Sequence, residues 1–416
     1  MDRFGDKVIC NPTVKLKKQE VYPLIDIDKI TPGYKYVRNE ETVEYTGQSG
    51  AKFQDHDVLF ARITPCLENG KVAIADTNGH NGIGSTELFV FRGIEGVSDT
   101  DYIYYLLNMK HIRQLAANSM TGASGRQRAD LGFIKRIKWD FPPIAIQKKI
   151  VSILSAYDNL IEVNNKRIKV LEQMAENLYK EWFVRFRFPG HETAEFEDGR
   201  LGKIPATFSV IKMQDAFEYY IGGGWGNDDE DKEYPVEAYV IRGTDFPRVS
   251  SGDISSCPLR YHKKSNYDAR QLKPDDIILE VSGGTADQPV GRTLLVTSDV
   301  VERLGGKVIC ASFCKQIRVN KDVVSPVFFF YWMQFLYETR IIDRFQLQST
   351  GIINFQFNYF LKKGDLMLPP RDIMDSFEAL IRPIHKEISI IARENANLIK
   401  QRDLLLPRLM SGKLEV

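Results

Sequence analysis

Few residues in this chain have the types and spacing that chemistry at a site demands. The tract Pro274-Asp275-Asp276, followed by Glu280, spaces its carboxylates as two acids do when they hold Mg²⁺ for phosphodiester cleavage. That chemistry also needs a lysine two residues past the second acid. Ser282 stands there, so a strand entered through a turn is the better reading. Gly222, Gly223, Gly224 and Gly226 crowd one loop, but Asn227 takes the place of the third glycine of a dinucleotide fingerprint. There is no P-loop and no Asn-Pro-Pro-aromatic tetrapeptide of the kind that holds a flipped adenine; Asn11-Pro12-Thr13 reads as a turn. His56, His80, His111, His191, His262 and His385 are scattered, and Cys310 with Cys314 cannot close a zinc site that needs four ligands. These patterns offer no catalytic centre and no metal site, and the chain itself is expected to hold no cofactor.

Phosphate recognition is better served. Between Lys110 and Lys138 the chain carries Lys110, Arg113, Arg126, Arg128, Lys135, Arg136 and Lys138 against one acid, Asp130. Part of this charge lies in a Gly-rich loop, TGASGRQR from Thr121 to Arg128, a plausible place for phosphate contacts. A solvated face is the ordinary alternative for any charge run. Arg62 and Lys71 bracket the loop ITPCLENGK and are further candidates. In the second half, Arg242, Arg248, Arg260, Lys263, Lys264 and Arg270 gather near Thr244, Ser250 and Ser251, whose hydroxyls can bond bases or phosphates. Gly223 and Gly224 beside Trp225 would let backbone approach a DNA groove, although a plain loop with an inward Trp fits as well. The DNA-binding candidates are therefore Arg62, Lys71, Arg126, Arg128, Lys135, Gly223, Gly224, Trp225, Arg242, Thr244 and Lys263.

The elements that must position these residues occur twice. At 416 residues and 43% hydrophobic content the chain predicts several units with buried cores, and a formal charge of +1 excludes a histone-like, uniformly basic binder. Five cysteines without paired spacing predict free thiols in a reducing compartment. No signal-peptide pattern opens the chain and no apolar run reaches the roughly 18 residues of a membrane span, so a cytoplasmic location is expected. Residues 1–141 read as a mixed α/β domain, with strands at Val21 to Ile27, Asp57 to Ile63, Val72 to Ala75 and Leu88 to Phe91. A helix is predicted from Tyr102 to Ala117 and a strand from Ile134 to Phe141. Residues 203–368 repeat this plan. FQDHDVLF (Phe53 to Phe60) matches LKPDDIIL (Leu272 to Leu279), Glu87 to Phe91 matches Lys315 to Val319, and a helix follows at Pro326 as at Tyr102. Thr121-Gly122 answers to Thr350-Gly351, and Pro142-Pro143 to Pro369-Pro370.

After each proline pair comes a long helical run whose apolar residues recur at alternating four- and three-residue steps. The first seam is Ile150, Leu154, Tyr157, Ile161, Asn164, Ile168, Leu171, Ala175, Leu178 and Trp182; adding 227 gives the second, Phe377 to Leu409. Thirty-three residues of helix span roughly 50 Å. Pro383 and Pro407 predict a kink or break near both ends of the second helix. In an end-aligned antiparallel pairing, Asn164 and Asn395 fall in one layer, where buried asparagines would fix the register.

Several stretches together resemble the specificity subunit of type I restriction-modification systems. They are FPPIAIQKKIVSILSAYDNLIE (Phe141 to Glu162), AENLYKEWFVRF (Ala175 to Phe186) and QRDLLLPRLMSGKLEV (Gln401 to Val416), supported by IGGGWG, VIRGTDF (Val240 to Phe246) and GSTELFVFR (Gly84 to Arg92). Ile146 departs from the family, which commonly has Glu before Gln147, and the second copy, Pro369 to Met374, lacks the Glu-Gln pair. The resemblance implies two target-recognition domains related by an internal repeat and separated by two long helices that form an antiparallel coiled coil. The implied boundaries are domain one at 1–141, a spacer helix at 142–186, a linker at 187–202, domain two at 203–368, and a second spacer helix with the C-terminal tail at 369–416. It implies a non-catalytic reader of a split double-stranded DNA site, working with two methyltransferase subunits and with restriction subunits. S-adenosylmethionine, ATP and Mg²⁺ would belong to those partners. A clamp on RNA or protein, and a fused nuclease or methyltransferase with degenerate motifs, are the rival readings; a bipartite DNA shift and activity of the isolated chain separate them. Which bases each domain reads does not follow from loop sequence.

Overall fold

Proline pairs set where the two long helices begin. In the computed structural model, which describes residues 1–38, 40–122, 126–284, 288–349 and 352–416, Pro142-Pro143 precede the helix Ile144–Tyr179, and Pro369-Pro370 precede the helix Arg371–Met410. Proline lacks the amide hydrogen that a helix leaves unused in its first turn, so it is tolerated there. Gln147, fully buried, ties the first of these starts down: its amide donates to the carbonyls of Pro142 (2.8 Å) and Val97 (3.0 Å), and its carbonyl accepts from Asp99 N. The chain forms two units, one of residues 1–163 with 397–416 and one of residues 164–396, so each long helix contributes to both.

In the first unit a five-stranded sheet runs Val8–Cys10, Leu88–Gly93, Val58–Ala61, Val72–Ala75, Tyr36–Val37. All neighbours are antiparallel except the last pair. Side chains alternate between the faces of a strand, and both faces are covered here. Val58, Phe60, Val72, Ile74, Phe89 and Phe91 join the helical residues Tyr102, Ile103 and Leu106, while Leu59, Ala73, Leu88 and Val90 meet Ile25 and Phe53 on the other side. The expected helix from Tyr102 to Ala117 is two helices, Thr100–Asn108 and Lys110–Asn118, broken at Met109, which is extended. The Asn108 side chain donates to the Tyr104 carbonyl at 2.9 Å, competing with the backbone for that acceptor. The expected strand from Ile134 to Phe141 is instead the helix Leu131–Arg136 followed by the two-residue strand Lys138–Trp139. Asp130 decides this by capping the helix, its carboxylate accepting from Phe133 N at 2.5 Å.

In the second unit the strands Phe217–Gly222, Cys314–Val319, Ile277–Glu280 and Thr293–Leu295 form a sheet with every neighbour antiparallel. Its position-for-position likeness to Val8–Cys10, Leu88–Gly93, Val58–Ala61 and Val72–Ala75 extends to the turn that enters the third strand. Asp57 accepts from Gln54 N at 2.7 Å and takes both ends of the Arg92 guanidinium (2.6 and 2.7 Å). Asp276 accepts from Lys273 N at 2.7 Å and is gripped by Arg318 at 2.8 Å through both nitrogens. The preceding residues, His56 and Asp275, are both left-handed, with φ of 69° and 73°. Within residues 187–202 lie a 3₁₀ turn, His191–Thr193, and the strand Phe196–Gly199, which pairs with Gly202–Pro205. Thr350-Gly351 lies outside the described residues, as does the middle of the Thr121 to Arg128 loop.

The long helices run in opposite directions within each unit. In the second unit Asn164 donates to Asn395 Oδ1 at 3.0 Å, Asn395 donates to Asn165 Oδ1 at 2.9 Å, Arg167 reaches Glu387 at 3.0 Å, and the Trp182 and Phe377 rings are 6.0 Å apart. In the first, Ile150 and Leu154 share a cluster with Leu406 and Leu409, and buried Asp158 pairs with buried Arg402 at 2.5 Å. The expected break at Pro383 and Pro407 does not occur, because the helix continues unbroken through both. Each proline sacrifices one amide bond at a cost of about 3 kcal/mol. Burial of Phe377, Ile381, Ile388 and Ile391, at roughly 1.5–3 kcal/mol each, outweighs it. The first helix ends in a π turn, Lys180–Val184, whose extra residue turns both Trp182 and Phe183 inward. No helix among the described residues is long and apolar enough to cross a membrane.

Candidate nucleic-acid interface

In the first unit the cationic candidates gather around an acid. The loop from Thr121 to Arg128 is closed by paired backbone bonds between its two end residues (3.1 and 2.9 Å), and Thr64 N donates to Gln127 O at 3.0 Å. This brings Arg128 beside Glu87, on which its Nε (2.8 Å) and Nη2 (2.5 Å) close a fork; the bonds hold the Glu87 carboxyl below its ordinary range. Arg62 lies on the same acid, with Nε 3.9 Å from Glu87 Oε2 and its guanidinium over the Phe89 ring. Arg126 is exposed and holds no ion pair among the described residues. Lys135 is exposed on its helix, the base of its side chain lying over Gly5. Lys71 points elsewhere: its ammonium donates to the Ile27 carbonyl at 2.7 Å and pins that loop. Arg113 is half-buried and stacked so closely on Gly70 that a Cβ there would meet its Nη1 at 2.1 Å, which takes it out of the basic patch.

In the second unit the Gly-rich loop is stitched inward. Gly223 N and Gly224 N donate to the carbonyls of Cys314 and Cys310 at 2.9 Å, and Arg270 Nε donates to the Gly222 carbonyl at 2.8 Å. A Cβ on Gly223 would sit 2.1 Å from the Ala311 carbonyl oxygen, so internal packing already accounts for glycine there, whereas Gly224 meets only ordinary contacts. Trp225 is 40% exposed and stacks on the guanidinium of Arg260, 4.7 Å from its ring centre. Arg260 is itself buried, bonded to Asp228 and to the carbonyls of Trp225 and Gly226. Arg242 forks onto buried Asp245 at 2.9 and 2.8 Å and donates to the Ser256 carbonyl, leaving Thr244 exposed on the turn between them. Lys263 reaches Glu233 at 3.0 Å and lies over the Tyr234 ring. The structure thus brings Arg62 to Arg128, and Arg242 to Thr244, while Lys71 and Lys135 have unrelated neighbours. Sequence reading missed the acids that hold these arginines: Glu87 lies within GSTELFVFR, but its pairing across 41 residues leaves no local signal, whereas Asp245, three residues from Arg242, was within reach of a local one.

Residues 8–173, which include most of the first unit, match the family described as the type I restriction modification DNA specificity domain. The similarity also runs the length of the chain. A putative type I restriction enzyme MjaX specificity subunit from Methanocaldococcus jannaschii is 24% identical over 425 aligned positions, covering 97% of this chain and 90% of that protein. What this chain is similar to, in its first part and along its length, is the type I restriction-modification specificity subunit. The EcoEI specificity subunit from Escherichia coli is 35% identical over 133 residues, 30% of this chain and 22% of its own. A solved S subunit from M. genitalium aligns over 98% of this chain and 95% of its own length, with 12% identity and a TM-score of 0.48. In this chain the acidic tract of the second unit has a structural explanation. Asp276 is held by Arg318, Asp275 by Lys321 and Arg382, and Glu280 by Arg292. Each carboxylate is neutralised by a side chain, so the tract needs no cation to explain it.

Proposed function

We infer that this chain is the DNA-reading subunit of a type I restriction-modification enzyme. One observation carries the reading: the similarity to the MjaX specificity subunit extends over 97% of the chain, so both units and both long helices take part in it. Each unit reads one half of a split double-stranded DNA site. The two units are an internal repeat, a reading supported by the shared strand order and by the matching Asp57–Arg92 and Asp276–Arg318 forks. The long helices form an antiparallel coiled coil that sets the unread gap between the half-sites, with Asn164 and Asn395 fixing its register. Methyl transfer and cleavage are the work of partners: two methyltransferase subunits using S-adenosylmethionine and ATP- and Mg²⁺-dependent restriction subunits. The assembly works in the cytoplasm, where the DNA is.

Arg126, Lys135, Thr244, Trp225 and Gly224 are the candidates free to meet DNA as they stand. Arg128, Arg62 and Arg242 would meet it by exchanging Glu87 or Asp245 for a phosphate or base edge, and Lys263 by leaving Glu233. Lys71 and Gly223 would act at one remove, by holding their loops in shape. Mapping methylated bases in a genome that expresses this chain with its methyltransferase partner tests the whole reading. A single two-part motif with a constant gap is expected; methylation without sequence preference, or an uninterrupted motif, would overturn it.

A further inference from the structure

Within the second unit lies a cavity of about 460 Å³ whose lining includes none of the DNA-binding candidates named above. This is within the range of roughly 300–1,000 Å³ typical of small-molecule sites. One wall is the buried aromatic core: Phe183, turned inward by the π turn, with Trp332, Phe345 and Phe360. The rim is cationic. Lys203 comes from the hairpin Phe196–Pro205, Arg344 from the 3₁₀ turn Ile341–Phe345, and Lys363 from the end of the helix Phe357–Lys363. All three are exposed, and none holds an ion pair among the described residues. The acid lining the same cavity, Asp365, is already occupied by Lys212 at 2.7 Å and Arg200 at 3.6 Å. An apolar floor beneath uncompensated positive charge selects one chemistry: a flat apolar body removes the aromatic wall from water, and an anionic group answers the three cations.

We propose that this cavity binds a small amphipathic anion, an aromatic or aliphatic body carrying one carboxylate, sulfonate or phosphate. The three cations come from three separate segments that close around one aromatic wall, so the site forms only when the second unit is folded. The proposal is independent of which DNA sequence the chain reads.

The test uses the full chain and two fluorescent probes with the same ring system, anilinonaphthalene sulfonate and its uncharged counterpart phenylnaphthylamine. The sulfonate is expected to bind at one site per chain and to quench buried tryptophan fluorescence. The double variant Arg344→Glu/Lys363→Glu, whose altered side chains are both exposed, should weaken it roughly tenfold with an unchanged far-UV spectrum. Leu201→Trp, at the mouth of the cavity, should block it sterically with the charges intact. Equal affinity for the uncharged probe, binding that survives both variants, or absence of a saturable site would overturn the proposal. So would displacement of the sulfonate by double-stranded DNA in the full chain, since that would give the same cations to the DNA.

Discussion

Whether a charged side chain is available to a ligand depends on what it already holds. Arg126 and Arg128 are two residues apart, yet Arg128 is forked onto Glu87 and Arg126 is exposed. Arg126→Ala should therefore weaken DNA binding and lower the slope of log affinity against log salt by roughly 0.9, the share of one phosphate contact. Titrations at several salt concentrations check this; unchanged affinity with an unchanged slope would remove Arg126 from the interface. His385 makes a prediction of another kind. Burial first, and then nearby Arg382, push its imidazole from the ordinary 6.5 down to about 4, while Tyr331 hydrogen-bonds its Nε2 at 2.8 Å. The folded chain resists protonation that the unfolded chain accepts. Stability from this group is thus complete above about pH 6.5 and falls as pH drops towards 4, by at most about 3 kcal/mol. Urea melts of His385→Gln at about pH 7 and about pH 5 should differ less than those of the parent chain.

At the scale of elements, the helix pair holds two polar layers with opposite consequences. In the first unit Asp158 and Arg402 are 4% and 5% exposed, and Asp158 also accepts from Tyr105 while Arg402 donates to the Gly33 carbonyl at 2.8 Å. Removing Asp158 leaves Arg402 buried with only the exposed carboxylate of Asp403, 2.9 Å away, as its acidic partner, so Asp158→Ala should cost about 3 kcal/mol in denaturant unfolding, the low end for a broken buried pair. A loss below about 1 kcal/mol, the worth of an exposed pair, would show that the site rehydrates. In the second unit the Asn164–Asn395 layer is neutral and more costly to keep than an apolar one. Asn164→Leu/Asn395→Leu should raise the melting temperature while making the gap between methylated half-sites less uniform. A uniform gap in the double variant would sink the register proposal.

For the whole molecule, the proposed reading of one half-site per unit requires that the two units, alike in strand order, fail separately. Thr244→Ala lies in the second unit, so methylome mapping should show relaxed preference in one half of the motif and an unaltered other half. Relaxation in both halves would mean that the units do not read independently.

Much of the architecture was legible because it depends on local spacing. The heptad seam, the proline pairs ahead of each long helix and the FQDHDVLF and LKPDDIIL turns are patterns within a few residues, and the strands at Val58–Ala61 and Ile277–Glu280 stand where those turns put them. Prediction failed where local side-chain bonds cut across the apolar pattern and where burial overruled local preference. The Asn108 side chain and the Asp130 cap redirected two elements, and core burial carried a helix through Pro383 and Pro407. The site was less legible than the fold. That arginines and lysines crowd certain loops is written in the chain; which of them are spent on Glu87 or the Ile27 carbonyl is not. By itself the sequence determined the repeat of patterns, the seam and the family resemblance, because periodicity and motif are properties of neighbours in the chain. Only the tertiary structure decided which charges remain free, because ion pairs and cavities join residues that the chain keeps far apart.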